Sequence, residues 1–476
     1  MADRVPSLII DAFRAQREGP AGLERRSRRR LADLVSHARQ SSPFYRSLYR
    51  GLPDRVEDVA LLPVVNKQTL MARFDDWVTD PAVTADAVHA FVADPALVGQ
   101  RLLGRYQAAT TSGTTGHRGL FLIDDPTLTV ATAITVRMLL SWLTARDVLQ
   151  IVRGGGRLTM VVATGGHFAT AVAATKLRTS PLRPRLISVL PVHTAMPDLV
   201  AKLNWLQPTI LAPYATVGLL LAAEQSAGRL HITPALVVLA AEGLSDTDRH
   251  RVVDAFPTAQ VVSSYAATEC PFLSYSCPAG WQHVNSDWAI LEPVTADHQP
   301  VPPGQLSDTA LVTNLANRLQ PILRYNLGDQ VLANPDPCPC GSPLPAVRVR
   351  GRAADLVTFP DAHHRSVTLP PLALSSLADR VPGLDLVQIV QTTPTTLSVR
   401  IRPRVLNSGD PRWIDLSGQL TRLLTSHQLG HVSVQLAEEE PQPTPGGKYR
   451  SVIPLPSQPV SPPMADPRGD ANAAAG

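Results

Sequence analysis

Between residues 158 and 263 the chain repeats one theme: a short apolar run, a helical stretch, then another apolar run. The runs fall at 158–163, 186–190, 209–212, 236–240 and 260–263. Each is too short for a helix. Each is also mostly apolar, which suits a strand covered on both faces. Helical texture separates them, for example at 217–227 and 247–255. Strands that alternate with helices predict an α/β fold with a mostly parallel sheet. No internal repeat of fixed period is present.

A chain of 476 residues exceeds one compact core, so at least two domains are expected. The texture changes after about residue 351. Short strands are expected at 386–390, 397–401 and 432–436, with a helix at 413–424, giving a compact α+β unit of separate-domain size. The expected organisation is a large N-terminal α/β domain (1–350), a small C-terminal α+β domain (351–453) and a disordered tail (454–476). The tail is rich in Pro, Ala and Asp. Residues up to about 51 read as helical, with Ser42-Pro43 as a break, and Asn66 is a plausible cap for a helix after the 61–69 loop.

Arg25, Arg26, Arg28, Arg29 and Arg30 form a basic run. Leu23, Leu31, Leu34 and Val35 lie beside it at helical spacing, so the arginines are expected on a solvated helix face. No stacking-aromatic or recognition-helix pattern supports nucleic-acid binding. No apolar stretch of about 20 residues predicts a membrane span, and no signal peptide is visible, so a cytoplasmic location is the expectation.

The most informative segment is Thr110-Thr111-Ser112-Gly113-Thr114-Thr115-Gly116. Glycines let backbone N–H groups approach an anion, and hydroxyls add donors for phosphate oxygens. Structured apolar sequence follows at 120–123, which argues against a flexible linker. The Gly-Lys-Ser/Thr ending of a Walker loop is absent.

This segment resembles the phosphate-binding loop of the adenylate-forming superfamily, which includes acyl- and aryl-CoA ligases, luciferases and peptide-synthetase adenylation domains. The pattern Ser-Gly-Thr-Thr-Gly is intact at 112–116, while Arg118-Gly119 replaces the usual Pro-Lys. Further stations follow in family order. Ala240-Ala241-Glu242-Gly243 resembles the Gly-Glu turn before the adenine pocket. Ser264-Tyr265-Ala266-Ala267-Thr268-Glu269 resembles Tyr-Gly-x-Thr-Glu. Arg324-Tyr325-Asn326-Leu327-Gly328-Asp329 resembles the ribose motif, Gly351-Arg352-Ala353-Ala354-Asp355 the hinge, and Gly446-Gly447-Lys448 the C-terminal lysine loop. Ser42-Pro43-Phe44-Tyr45, the 62–67 segment, Leu211-Ala212-Pro213-Tyr214 and His283-Val284-Asn285-Ser286-Asp287 resemble the phenylacetate–CoA ligase branch.

The resemblance implies a large adenylate-forming domain with a C-terminal lid, and roles for individual residues. Thr111, Ser112, Gly113, Thr114, Thr115 and Gly116 would hold ATP phosphates, with Glu242 at the edge of the adenine pocket. Tyr265 would stack on adenine, Asp329 would bind both ribose hydroxyls, and Arg352 would pair with ribose or phosphate. Glu269 would hold Mg²⁺, a hard cation that prefers carboxylate and phosphate oxygen, with Thr268 beside the α-phosphate. Lys448 would stabilise the α-phosphate in the transition state. Ala266 replaces the usual glycine and Ala354 an acidic residue. These departures bear on the second half-reaction more than on nucleotide binding.

The only cysteines are Cys270, Cys277, Cys338 and Cys340. In a cytoplasmic setting metal binding is a better reading than disulfides, and four thiolates suit structural Zn²⁺, with His283 a possible substitute. The expected activity is ATP-dependent adenylation of a small-molecule carboxylic acid, an apolar or aromatic one on the evidence of small side chains near His167, Tyr214 and Ala241. His167 would face the carboxylate or pack behind it. Coenzyme A is the leading acceptor. An amine or a carrier-protein thiol is the alternative, and a non-catalytic nucleotide-binding regulator is the reading of another class. Oligomeric state is open.

Overall fold

The computed structural model describes residues 4–111, 119–164, 167, 186–241, 243–350, 357–361, 365–378, 380–384, 386–404, 408–442 and 450–455. The chain opens with helices α1 (Val5–Arg17), α2 (Gly19–Ser41) and α3 (Pro43–Leu48). The Ser42 side chain accepts from the Tyr45 backbone N–H and Pro43 occupies the first turn, so the sequence break is a helix junction. Helices α4 (Lys67–Ala72), α5 (Phe74–Trp77) and α6 (Ala85–Ala93) follow. Asn66 caps α4 through the Thr69 N–H, as its residue type predicts.

An antiparallel hairpin, β1 (Gln107–Thr110) and β2 (Leu120–Ile123), leads into α7 (Asp125–Trp142) and α8 (Ala145–Arg153). Strands β3 (Leu158–Val162), β4 (Ile187–Pro191), β5 (Ile210–Pro213), β6 (Leu236–Leu239) and β7 (Gln260–Ala267) then form with helices α9 (Met196–Leu206), α10 (Ala215–Ser226) and α11 (Asp246–Ala255) between them. These are the runs expected from the sequence. They pair in parallel in the order β7-β6-β5-β3-β4.

The sheet does not stop there. Strands β8 (Cys270–Ser276), β9 (Gln282–Val284), β13 (Gln330–Ala333) and β14 (Ala346–Arg350) extend it in antiparallel fashion to nine strands, in the order β13-β14-β9-β8-β7-β6-β5-β3-β4. A separate antiparallel sheet holds β10 (Ala289–Val294), β11 (Thr309–Asn314) and β12 (Ile322–Asn326). The C-terminal part comprises hairpin β15 (Val357–Pro360) and β16 (Ser366–Leu369), α12 (Pro371–Ala378), β17 (Leu386–Thr393), β18 (Thr396–Arg402), α13 (Pro411–Ser426), β19 (Ser433–Leu436) and β20 (Val452–Ile453). Its four-stranded sheet runs β19-β18-β17-β20.

Two large apolar cores result. One joins the N-terminal helices and α7 to β8 and the β10–β12 sheet. The other runs without interruption from the parallel strands and their helices into the C-terminal sheet and α13. Polar contacts reinforce that junction. Arg380 donates to the Thr164 carbonyl, His193 Nε2 lies 3.0 Å from Ser376 Oγ, and His427 Nε2 lies 3.2 Å from the His193 carbonyl.

The arginine run is not wholly solvated. Arg26 and Arg30 turn inward onto Asp11, at 2.9 and 2.6 Å, while Arg25 and Arg26 meet Glu18 and Arg28 meets Glu24. Arg30 also lies 3.5 Å from the centre of the Trp288 ring and donates to the Asp287 carbonyl at 2.6 Å. Carboxylates of the same helical layer therefore take up most of this charge. Among the described residues no single helix is long and apolar enough to cross a membrane.

Below Arg30 lies the most deeply buried ion pair. Arg137 on α7 grips both Asp287 oxygens, at 2.9 and 3.1 Å, and Asn285 Oδ1 at 2.5 Å, and both partners of the pair have fully buried side chains. Removing one member of such a pair leaves a buried charge unmatched, at a cost of about 3–5 kcal/mol. Arg137→Ala is therefore expected to lower the denaturation midpoint by that amount of stability, with Arg28→Ala, at an exposed pair, nearly neutral. Burial, then the neighbouring Arg380 guanidinium, pushes His193 down to about 4. The unfolded chain takes up this proton below about pH 6.5 and the folded one does not, so stability is present above pH 6.5 and is lost as pH falls toward 4. Urea unfolding should show a loss on the order of 3 kcal/mol from this group over that range, and His193→Gln should flatten that part of the profile.

Candidate active site

Of the sequence-predicted residues that the structure describes, His167, Tyr214, Ala241, Tyr265, Thr268 and Glu269 gather where β3, β5, β6 and β7 end, along the carboxyl edge of the parallel strands. Ligands bind at that edge in open α/β sheets. The reason is local: each strand hands over to a turn there, and backbone groups leave the ladder.

The hairpin β1–β2 presents the phosphate-loop candidate. Thr111 continues the ladder, donating its N–H to the Gly119 carbonyl at 3.1 Å, while its Oγ1 accepts from the Gly119 N–H at 3.0 Å. The 112–118 segment therefore departs from a closed two-strand stem. Ser112, Gly113, Thr114, Thr115 and Gly116 themselves lie outside the described residues, as do Glu242, Arg352 and Lys448. At the stem stands Lys67, whose Nζ donates to Thr111 Oγ1 at 3.2 Å. It arrives because the 62–67 segment runs beside β12, with the Val65 N–H on the Arg324 carbonyl and the Asn326 N–H on the Val65 carbonyl. The sequence marks this segment by resemblance but assigns Lys67 no role. Its place is set by pairing with a strand some 260 residues away.

Thr268 and Glu269 occupy the two-residue turn between β7 and β8, where Ala267 pairs with Cys270. Ladder register shifts between Tyr265 and Ala267, where Ala266 alone on β7 faces residues 271–273 of β8, so the extra residues lie on β8. No left-handed φ is needed at this position, so alanine fits where the family pattern has glycine. The two acid motifs are cross-linked. The Tyr265 hydroxyl donates to Asp329 at 2.9 Å, and the Tyr325 hydroxyl donates to Glu269 Oε1 at 2.8 Å. Each motif's tyrosine thus holds the other motif's carboxylate. Burial, reinforced by the Asp329 carboxylate, raises Tyr265 well above the usual phenol range; burial and then Glu269 do the same for Tyr325. Both phenols stay protonated donors at neutral pH. Glu269 is buried, its carbonyl accepts from Asn314 at 2.9 Å, and only one of its carboxylate oxygens is engaged among the described residues. Gly328, at φ +75°, forms the turn that delivers Asp329, and its N–H donates to the Asn326 side chain.

The acid-pocket candidates fall into three environments. Tyr214 is buried at the end of β5, and its hydroxyl accepts from the Ala163 N–H at 3.1 Å, so it fastens the β3 turn to β5. His167 is buried against Phe91 at 5.2 Å, with neither ring nitrogen hydrogen-bonded among the described residues, and burial lowers its pKa. Ala241 is exposed at φ +67°, a left-handed backbone that costs an L-residue about 1–2 kcal/mol. Such strain is held by its surroundings and concentrates at functional turns.

The cysteine expectation needs a correction. Cys277, His283, Cys338 and Cys340 converge, with ligand atoms all within 4.8 Å of one another, but Cys270 is not among them. Cys270 and Cys277 stand at opposite ends of β8, which at about 3.3 Å per residue puts them on the order of 20 Å apart. Cys270 instead fills the apolar core beside Glu269, and burial raises its thiol pKa. His283 takes its place. His283 Nδ1 lies 3.0 Å from the Leu344 carbonyl, which leaves Nε2 facing Cys340 Sγ at 3.1 Å. Cys277 and Cys338 sulfurs are 3.7 Å apart.

The same architecture occurs in solved structures of 2-hydroxyisobutyryl-CoA ligase. The complex with 2-HIB-AMP and CoA in the thioesterification state matches with a TM-score of 0.56 at 18% identity, over 93% of this chain and 91% of that one. An open conformation with the same two ligands matches with a TM-score of 0.52 at 18% identity, over 91% and 92%. The chain has the fold of these ligases. No family model matches the sequence, and no curated protein does. In this fold the crossed tyrosine–carboxylate pairs sit near the carboxyl edge of the parallel strands.

A hydrogen bond to a charged carboxylate contributes about 1.5–3 kcal/mol. Tyr325→Phe is therefore expected to lower stability by that order in thermal or urea denaturation. Tyr106→Phe, whose hydroxyl meets half-exposed Asp80, should lose less.

Proposed function

We propose that this chain is an ATP-dependent ligase that adenylates a carboxylic acid, releases pyrophosphate and passes the acyl group to a thiol, with coenzyme A the leading acceptor. The observation that carries the reading is the crossed pair Tyr265–Asp329 and Tyr325–Glu269 at the strand-end rim of an adenylate-forming fold. It holds two carboxylates in place from two separate motifs. That the similar 2-hydroxyisobutyryl-CoA ligase was solved with an acyl-adenylate and CoA supports both half-reactions. An amine acceptor or a carrier-protein thiol would use the same first half-reaction.

In this reading Asp329 accepts from the ribose hydroxyls while Tyr265 flanks the adenine and fixes Asp329. Glu269 keeps one oxygen on Tyr325 and offers the other to Mg²⁺, whose preference for a carboxylate beside phosphate fits that half-engaged group. Mg²⁺, when bound, would neutralise phosphate charge as pyrophosphate leaves. Thr268 and the 112–116 loop border the phosphates, with Lys67 bracing the loop stem. The substrate carboxylate oxygen attacks the α-phosphorus, the α–β bridging P–O bond breaks, and Lys448 stabilises the charge on the pentavalent centre. Arg352 would complete the nucleotide contacts at the 350/351 junction, from which the C-terminal lid turns for the second half-reaction. His167, Tyr214, Ala241 and Glu242 border the acid and adenine side. The small apolar walls there favour an aromatic or other apolar acid, and a phenylacetate–CoA ligase-like enzyme is the finer reading.

The Cys277, His283, Cys338 and Cys340 donors fit Zn²⁺: three sulfurs and one imidazole suit its tetrahedral preference, and the Leu344 carbonyl holds His283 in the ligating tautomer. Such a centre would pin β8 and β9 to the 334–345 loop. Metal analysis of purified protein should give one Zn²⁺ per chain, lost in Cys277→Ser and retained in Cys270→Ser; retention in the former would remove the assignment.

The decisive test of activity is ATP–pyrophosphate exchange against a panel of aryl and alkyl acids. Exchange that depends on one acid class and drops by about 10²–10³-fold in Lys448→Ala is expected. No exchange with any acid, in protein shown to bind ATP, would sink the ligase reading in favour of a nucleotide-binding regulator.

A further inference from the structure

A pocket of about 430 Å³ opens where the C-terminal part meets the parallel sheet. Its walls include Thr164 just past β3, His193 just past β4, Arg380 after α12, and Gln419, Arg422 and Ser426 on α13. It therefore lies along the same strand-end rim as the nucleotide site, displaced toward the β4 edge of the sheet.

Its charge is unbalanced. Neither Arg380 nor Arg422 has an ion-pair partner among the described residues, whereas Arg26, Arg30, Arg137 and Arg324 each meet a carboxylate and Arg400 meets the neutral Gln388 side chain. One Arg380 nitrogen, Nη2, reaches the Thr164 carbonyl and His193 Nδ1, both neutral acceptors, while its Nε is buried with no partner at all. A desolvated guanidinium without an anion is unfavourable and is tolerated where an anion completes it. Arg422 brings a second fork of donors from a separate element, while the Ser426 hydroxyl is spent on the Leu423 carbonyl and the Gln419 amide donates to Asp415 at 3.1 Å. Two guanidiniums facing one cavity match the several oxygens and multiple charge of a phosphoryl group better than a carboxylate.

We infer that this pocket between the C-terminal helices and the β3–β4 edge is a binding site for a phosphoryl group, held by Arg380 and Arg422. Under the ligase reading, on which the carrier's identity rests, that group belongs either to the phosphates of coenzyme A or to released pyrophosphate. The two sources share the chemistry and separate by experiment.

Titration calorimetry on the full chain, with inorganic pyrophosphate, coenzyme A and phosphate-free pantetheine, tests the site without turnover. Arg422 is exposed and makes no structural contact among the described residues, so Arg422→Ala is the clean variant. Its loss is expected to weaken the bound phosphoryl ligand about tenfold or more, with Arg380→Gln doing the same and Arg380→Lys recovering part of the affinity. Weakened coenzyme A with unaltered pyrophosphate assigns the acceptor's phosphates; the reverse assigns pyrophosphate; either supports the site. Equal binding of both anions by wild type and Arg422→Ala, or binding of neither anion by wild type, overturns it. Pantetheine as tight as coenzyme A also overturns it. A chain that shows Arg422-dependent anion binding but no acid-dependent exchange would keep this site while losing the ligase reading.

Discussion

The buried cage around Asp287 is the constraint from which the candidate-site face of the sheet is hung. Arg137 reaches it from α7, Arg30 from α2, and Asn285 completes it from the same turn. A fully buried guanidinium and carboxylate stand only if the geometry is tight, because the desolvation of each must be met by the other. That requirement fixes the loop after β9 against two helices of the N-terminal layer. Two residues earlier on that loop's strand stands His283, and the neighbouring strand is β8, which starts at the Glu269 turn. The rear of the site is therefore held electrostatically from one side and by the Cys/His cluster from the other.

In front of this anchored sheet the two acid motifs exchange tyrosines. The arrangement makes each carboxylate depend on a donor from a segment some 60 residues away. Neither acid then relies on its own flexible turn for position. The hydroxyls are in low-dielectric surroundings where such bonds are stronger and where an unpaired group is costly, so the pairs favour one arrangement over near alternatives.

Much of this was legible in the sequence, and for identifiable reasons. The five parallel strands announce themselves because both faces are covered, which favours the mostly apolar short runs at 158–163 through 260–263. The C-terminal strands and α13 are equally plain. The antiparallel extension was not, because β9, β13 and β14 are short and partly polar, and their order in the sheet depends on pairings that no local pattern records. The motifs singled out Tyr265, Glu269 and Asp329, which the structure brings together, but not the crossed bonds between them. Tyr325 lies inside a recognised motif and its task is visible only in three dimensions. The Cys270 error has the same root: counting cysteines ignores that an extended strand separates its ends. Arg137 hides in an otherwise apolar helix, and Arg26 and Arg30 in a run that looks solvated.

The two-residue connection between β7 and β8 sets a limit on how this chain can vary in length. Side chains alternate faces along a strand, so inserting or deleting one residue between Tyr265 and Cys270 would turn every later side chain of β8 to the opposite face. Cys270 and Phe272 would exchange faces with Leu273 and Tyr275, all of them packed in the core, and the path to Cys277 would shift with them. Length changes should accordingly be tolerated in the short loop 295–299, which is closed by the Val294–Pro300 bridge, and be excluded from the Glu269 hairpin. A reader comparing natural variants of this chain should find gaps in the first place and none in the second.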